Sequence, residues 1–168
     1  GTVMAVRESH RGAVVSRQLV LVPLDGAAAA DDDAVSVVND QHHFYAQPRL
    51  SPDGTRVAYV AWDHPHMPWD STVLALAALE DGSRTERVLV GGVDESVLQP
   101  EWADDGHVYC LSDRSGCGTL YRVDVDGDAV PDVAPRLRYF GNSMGAIMGG
   151  GFVPVANRIS SVVLNVPG

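Results

Sequence analysis

The order of apolar and polar positions along this chain predicts a series of short β-strands. Stretches rich in Val, Leu, Ala and Tyr alternate with polar segments that contain Asp, Gly and Pro. Two of these stretches, Arg56–Trp62 and His107–Ser112, each follow an Asp-Gly pair. Asp-Gly supplies the positive φ values that tight hairpin turns need, so each pair is predicted to join two antiparallel strands.

The same pattern recurs at a fixed spacing. The run QPRLSPDG, from Gln47 to Gly54, aligns with QPEWADDG, from Gln99 to Gly106, at an offset of 52 residues, the difference between the two starting positions. A further strand closes each unit and ends in an acidic residue and Gly; its three copies are Gln18–Gly26, Val73–Gly82 and Leu120–Gly127. Repeats of this length made of antiparallel strands are typical of propeller blades. We predict two nearly whole blades after one that begins partway through, with antiparallel strands over residues 14–128.

Two segments resemble the β-propeller of the prolyl oligopeptidase family, in particular that of its bacterial acylaminoacyl-peptidase and dipeptidyl-peptidase-like members. They are QPRLSPDGTRVAYVAWDHPHMPWDST, from Gln47 to Thr72, and ESVLQPEWADDGHVYCLSDRSGCGTLYRV, from Glu95 to Val123. The P-x-x-S-P-D-G element is shared with other propellers, such as the TolB type, whereas WDHPHMPWD and SDRSG followed by LYR are more specific. The resemblance covers roughly residues 1–130 and departs at Cys117-Gly118-Thr119, where relatives usually carry aromatic residues and Asn.

The resemblance implies a role in controlling substrate access and no catalytic reaction for this part of the chain. In that family the propeller lies over an α/β-hydrolase domain and admits only small peptides, while the Ser, Asp and His that cut peptides belong to the other domain. We therefore expect an all-β partial propeller of about two to three blades, which gates peptide substrate in a parent enzyme and is inactive in isolation. The alternative is a non-enzymatic, TolB-like binding module, and a hydrolase domain downstream in the source gene would distinguish the two.

The chain changes character near Val133. Residues 1–132 hold all 22 acidic residues and nine of the twelve Arg, whereas residues 133–168 hold three Arg and no acid. We accordingly predict a partial propeller over 1–132 and a second segment over 133–168. The pattern of this second segment predicts a strand at 136–140, a glycine-flanked turn, a helix at 146–155 and a strand at 159–166.

The turn in this second segment, Gly141-Asn142-Ser143-Met144-Gly145, fits the G-x-S-x-G pattern. Such a strand, sharp turn, helix and strand resemble the nucleophile elbow of an α/β-hydrolase. By that resemblance Ser143 would be the nucleophile, and the Met144 amide would form half of the oxyanion hole. The alternative is a glycine-rich connection in a further blade.

A complete catalytic triad is not expected. An α/β-hydrolase carries its acid and its His after the nucleophile, but the last acid here is Asp132 and the last His is His107. A serine hydroxyl without a positioned base is a weak nucleophile. Ser143 is therefore predicted to be inactive.

Other clusters favour structural roles. The loop Trp62–Asp70 holds two His and two Asp, but its two Pro residues predict an irregular loop rather than a strand that presents metal ligands. His42 and His43 are interpreted as neighbours on a strand that face opposite sides and do not share a ligand. Asp31-Asp32-Asp33 lacks the spacing of a calcium loop, and Cys110 and Cys117 are interpreted as reduced, partly buried thiols. We expect no metal and no cofactor.

The net charge of −10 argues against nucleic acid and anionic membrane as partners, because no basic stripe exists to neutralise phosphates. No apolar run is long enough to cross a bilayer, and the start lacks the pattern of a signal peptide. We expect a cytoplasmic protein that associates with itself through open blade edges.

Overall fold

A computed structural model describes residues 1–79, 85–127, 129–131, 137–142 and 159–165, and the side chains of 1–79 and 85–127. The chain divides into two compact units, Gly1–Pro131 and Asp132–Gly168. The strands of the first unit are β1 (Thr2–Arg11), β2 (Val14–Pro23), β3 (Ser36–Asn39), β4 (Phe44–Leu50), β5 (Arg56–Trp62), β6 (Thr72–Ala78), β7 (Glu86–Gly92), β8 (Val97–Asp104), β9 (His107–Ser112), β10 (Thr119–Asp124) and β11 (Ala129–Pro131). Two 3₁₀ turns, Ala27–Ala29 and Asp32–Ala34, lie between β2 and β3.

These strands form three antiparallel sheets in chain order: β1-β2-β3, β4-β5-β6-β7 and β8-β9-β10-β11. The prediction of an all-β partial propeller is confirmed, and we call the sheets blade 1, blade 2 and blade 3. The strand interpreted as closing each unit is β2, β6 or β10, and in every blade one more strand follows it. Strand β1 was also not predicted, and it makes blade 1 a three-stranded sheet.

Apolar side chains fill the spaces between successive blades. Alternate residues along a strand point to opposite faces of its sheet, so the inner strands of blade 2 contribute to two cores. Between blades 1 and 2 lie Leu19, Val38, Tyr45, Val57, Tyr59, Ala61, Ala75 and Ala77. Between blades 2 and 3 lie Ala58, Leu74, Leu76, Val90, Val97, Val108, Cys110, Tyr121, Val123 and Val125.

The repeat extends to unusual backbone positions. Gln47 and Gln99 adopt left-handed φ values of 52° and 54°, and each lies where the pairing of the first strand with the second shifts register. A Pro follows each Gln. A bulge at the same place in both blades turns the first strand in the same way, so blades 2 and 3 present equivalent surfaces.

The two Asp-Gly turns join the first and second strands of blades 2 and 3, as predicted, but they differ in backbone. Gly54 has a φ of 73° in a connection that spans residues 51–55. Gly106 is not in the positive-φ region, and β8 and β9 are joined by Asp105 and Gly106 alone. The prediction of positive φ is therefore wrong for the second turn, where three residues fewer connect the strands.

The second unit contains β12 (Leu137–Asn142) and β13 (Ile159–Asn165), which pair in parallel with one register shift at Leu137/Arg138. Strands were predicted at 136–140 and 159–166. The predicted helix at 146–155, Ser143 and Met144 lie outside the described residues. Among the residues that the structure describes, no helix is long and apolar enough to span a membrane.

Candidate functional site

The first strands of blades 2 and 3, β4 and β8, lie side by side and form the candidate site. Three hydrogen bonds join residues that are equivalent in the repeat: Gln99 N donates to Gln47 Oε1 (2.7 Å), Arg49 Nε donates to Glu101 Oε1 (2.8 Å), and Asp53 N donates to Asp105 Oδ1 (3.0 Å). In a propeller the first strand of each blade lies nearest the axis. We refer to the surface made by Gln47, Arg49, Gln99 and Glu101 as the inner rim.

Aromatic packing fixes the inner rim from below. Trp102 Nε1 donates to Arg49 O at 2.9 Å, and the Arg56 guanidinium lies 5.6 Å from the centre of the Trp102 ring. Arg56 Nη2 also donates to Asp105 O at 2.5 Å. Because Glu101 is exposed and Arg49 partly exposed, the inner rim offers one negative and one positive group to a passing polar molecule.

A second polar cluster lies where blade 1 meets blade 2. His42, in the connection between β3 and β4, contacts Asp63 Oδ2 through Nδ1 (2.6 Å) and Glu86 Oε1 through Nε2 (3.0 Å). Glu86 Oε2 accepts hydrogen bonds from Tyr59 OH (2.6 Å) and from Asn39 Nδ2 (3.2 Å). The cluster ties the last strand of blade 2 to the chain segment that leaves blade 1.

The carboxylates hold His42 in its charged form. The hydrogen bond to Glu86 raises the pKa of His42 to about 9, helped by the bond to Asp63 and opposed by burial. Burial is the largest single influence on Asp63 and Glu86 and raises their pKa values. The hydrogen bonds to His42, the bonds from His43 N to Asp63 and from Tyr59 to Glu86, and the charge of His42 together outweigh burial and leave both pKa values below their usual range. His42 is thus an imidazolium between two carboxylates.

The charged His42 makes the stability of the first unit depend on pH. The pKa of His42 is about 9 in the folded protein, whereas an unperturbed histidine, which stands for the unfolded chain, has a pKa of 6.5. Its contribution, on the order of 2 kcal/mol, is therefore fully present below about pH 6.5 and is lost as pH rises through about 9. We expect the free energy of unfolding in urea to fall across this range, and to fall less in His42→Gln. Equal pH slopes in the two proteins would contradict this role for His42.

His42 and His43 were interpreted as adjacent strand residues that do not easily share a ligand, and the assignment to a strand is wrong. Both lie in the irregular connection between β3 and β4, where the alternation of a strand does not apply. Asp63 contacts both histidines: its Oδ2 atom contacts His42 Nδ1, and its Oδ1 atom contacts His43 Nδ1 at 2.9 Å. Among the described residues, no group of three or more His, Cys, Asp or Glu side chains is arranged to hold a metal ion.

The remaining predicted clusters have these positions. Residues 63–71 connect β5 to β6 as an irregular loop, as their Pro residues predicted. Asp31 accepts a hydrogen bond from Asp33 N at an exposed 3₁₀ turn. Cys110 is buried, which raises its pKa to about 12, whereas Cys117 is exposed rather than partly buried because it follows the end of β9 in an open turn.

Solved structures similar to this chain include two hydrolases. One is a puromycin-hydrolysing peptidase of Mycobacterium tuberculosis, with 38% identity and a TM-score of 0.73 over 77% of this chain and 21% of that chain. The other is a puromycin hydrolase, with 42% identity and a TM-score of 0.72 over 82% of this chain and 22% of that chain. The chain thus spans about a fifth of the length of these proteins.

Two more distant likenesses concern the fold alone. TolB from Acinetobacter baumannii matches with 17% identity and a TM-score of 0.52 over 76% of this chain and 29% of that chain, and a prolyl endopeptidase matches with 15% identity and a TM-score of 0.56 over 78% of this chain and 20% of that chain. No protein-family model and no curated protein matches the chain. The blades, their repeat and the likeness to the two puromycin hydrolases agree: the chain matches the propeller region of peptidases of the prolyl oligopeptidase family.

Proposed function

We propose that this chain is part of a propeller that restricts the access of peptides to the active site of a prolyl oligopeptidase-type hydrolase, and that it has no hydrolase activity of its own. The observation that carries the proposal is the inner rim, where β4 and β8 bring Arg49 and Glu101 together at 2.8 Å and leave Glu101 exposed and Arg49 partly exposed. A rim of opposite charges beside the axis suits the termini and polar backbone of short peptides. Two relatives hydrolyse puromycin, which makes puromycin a reasonable test substrate.

The rim acts by sterics and by hydrogen bonding rather than by chemistry. Its carboxylate and guanidinium are paired with each other, and its glutamines do not titrate. A long or folded polypeptide cannot pass between first strands that are held together by hydrogen bonds every few residues. Access therefore depends on the contacts between β4 and β8.

A chimera tests the gating role. We would replace the matching segment of puromycin hydrolase by Phe44–Asp126 of this chain and compare the cleavage of puromycin with that of reduced casein. We expect the chimera to cleave puromycin and to leave casein intact. The matched control is the same chimera with Arg49→Ala and Glu101→Ala, which should cleave casein because the inner strands are less firmly joined. A folded chimera that cleaves casein as fast as this control would refute the proposal.

A TolB-like binding module is supported less well. The likeness to TolB is at 17% identity and concerns the fold, whereas both puromycin hydrolases are more than twice as similar in sequence. Peptides of the parent enzyme are accordingly the partners we propose. The location in the cytoplasm stays a prediction.

A further inference from the structure

Two exposed histidines from different segments lie side by side at one end of blade 2. His43 belongs to the connection between β3 and β4, and His64 belongs to the loop that follows β5. Their ring centroids are 5.3 Å apart, and their ring planes are inclined by 49°. Because the two residues are 21 positions apart in the chain, they form no ligand motif that the sequence could reveal.

The spacing of the two rings suits a shared metal ion. A zinc ion that binds an imidazole nitrogen at about 2.0–2.1 Å lies about 3.2 Å from the centre of that ring. Two imidazoles at the tetrahedral angle of about 109° therefore have ring centres about 5.2 Å apart, whereas an angle of about 90° would bring them to about 4.5 Å. The observed separation of 5.3 Å matches the tetrahedral arrangement.

Asp63 orients the His43 ring. Its Oδ1 atom lies 2.9 Å from His43 Nδ1 and also accepts a hydrogen bond from His43 N at 2.6 Å. The carboxylate places the imidazole proton on Nδ1, and it outweighs the longer contact of 3.3 Å between His64 N and the same atom. The lone pair of His43 Nε2 is then available to a metal. Metal-bound histidines usually donate their second N–H to a carboxylate in this way.

Packing holds the His64 ring in place. It meets the Phe44 ring edge to face with centroids 4.8 Å apart, and Phe44 in turn stacks on Trp62 at 5.2 Å. The backbone N–H of His66 donates to Asp63 O at 3.0 Å, which closes the turn that contains His64. A ring held in this way loses little side-chain freedom when it binds an ion.

The charges around the pair permit a cation. Arg17 Nη1 donates to His43 O at 3.3 Å and brings a positive charge close, but Arg17 Nε is paired with Glu8 Oε2 at 2.6 Å. The charge of His42 is likewise paired, with Glu86 at 3.0 Å. The chain as a whole carries a net charge of −10. A divalent cation is therefore not repelled from this end of blade 2.

We propose that His43 and His64 bind one Zn²⁺ through their imidazoles, with Asp63 as the positioning residue for His43. Imidazole is a preferred zinc ligand, and the tetrahedral spacing favours zinc over ions that prefer angles near 90°. The two remaining positions of the ion are open to water. Since the site joins the segment that leaves blade 1 to a loop of blade 2, the bound ion stabilises the folded first unit.

Isothermal titration calorimetry of the full chain with zinc chloride, after removal of metals by EDTA, tests the proposal. We expect one site with a Kd on the order of 10–100 µM, because the protein supplies two ligands where a structural zinc site has four. His43→Ala and His64→Ala should each weaken binding about tenfold or more, and Asp63→Asn about tenfold. The matched control is His66→Ala, which removes another histidine of the same loop and should leave binding unchanged.

Urea unfolding provides a second measurement. Zinc should raise the midpoint of the native chain and of His66→Ala, but not that of His43→Ala or His64→Ala. Circular dichroism shows whether each variant is folded, and the three histidine variants decide the question even if Asp63→Asn fails to fold. No zinc binding up to about 1 mM, binding unchanged in His43→Ala or His64→Ala, or an equal loss in His66→Ala would overturn the proposal.

Discussion

Replacing Gly91 by Ala is expected to destabilise the first unit by about 4 kcal/mol or more, because β7 approaches β6 too closely for a side chain. A Cβ at Gly91 would overlap the backbone O of Thr72 and lie 2.8 Å from Val73 Cα. The φ of Gly91 is also 103°, a value that L-residues rarely adopt. Neither backbone group can move freely, since Val73 pairs with Gly91 itself in the ladder.

The displaced strand would also loosen the junction with blade 3. Thr72 is fully buried, and its hydroxyl accepts from Val97 N at 2.6 Å and donates to Val97 O at 2.9 Å. Moving the Thr72 backbone breaks this pair of bonds to β8. The clash is therefore expected to spread from one blade to the next.

The neighbouring glycine provides the matched control. Gly92 has a φ of 142°, but nothing lies within 4 Å of a Cβ built on it. Gly92→Ala should cost only about 1–3 kcal/mol, from backbone strain alone. Urea unfolding followed by circular dichroism measures both variants. Equal midpoints for Gly91→Ala and Gly92→Ala would show that the close approach of β6 and β7 is not what requires glycine at position 91.

The chain is expected to hydrolyse neither peptides nor nitrophenyl esters faster than its own Ser143→Ala variant. All six His precede Ser143, and none of the described His lies near a serine in a base–nucleophile pair: His42 and His43 are held by carboxylates and His107 contacts Asp104. Loss of a triad member typically removes several orders of magnitude of rate. The measurement is turnover of both substrates together with labelling by a fluorophosphonate probe.

A positive result would be informative in a specific way. Stoichiometric labelling of the chain that disappears in Ser143→Ala would show that a His reaches Ser143, and it would contradict the proposed inactivity. Labelling that persists in the variant would point to another serine. Heat-unfolded protein serves as the blank, since nonspecific phosphonylation by the probe survives unfolding.

The repeat allowed the blades to be predicted because their turns and apolar strands are local in sequence. Arg56–Trp62 and His107–Ser112 are the second strands of blades 2 and 3 with unchanged bounds. Strand β7 escaped prediction because it begins with Glu and ends in two consecutive Gly, which leaves only a short apolar stretch between them; pairing within the blade rather than propensity sets its length. The φ of Gly106 was predicted wrongly for a similar reason: an Asp-Gly pair indicates a turn but does not determine how many residues separate the two strands.

The His42 cluster had no signal in the sequence. Glu86 lies 44 residues after His42, and the two meet only because blade 2 folds back on itself three times between them. His42 and His43 could be assigned opposite faces only on the assumption that they belong to a strand. The inner rim was partly visible, because the offset of 52 aligns Gln47 with Gln99, but the pattern alone does not show that aligned residues touch.

That direct contact between aligned residues limits how such a protein can grow by duplication. Position 49 of one blade meets position 101 of the next, so an unchanged copy would set Arg against Arg or Glu against Glu. Successive copies must therefore carry opposite charges at this position, positive in one blade and negative in the next. Around a closed ring, strict alternation fits only an even number of blades, and an odd ring must contain one junction where the rule is broken. Such a frustrated junction would be the natural place for a ring to open.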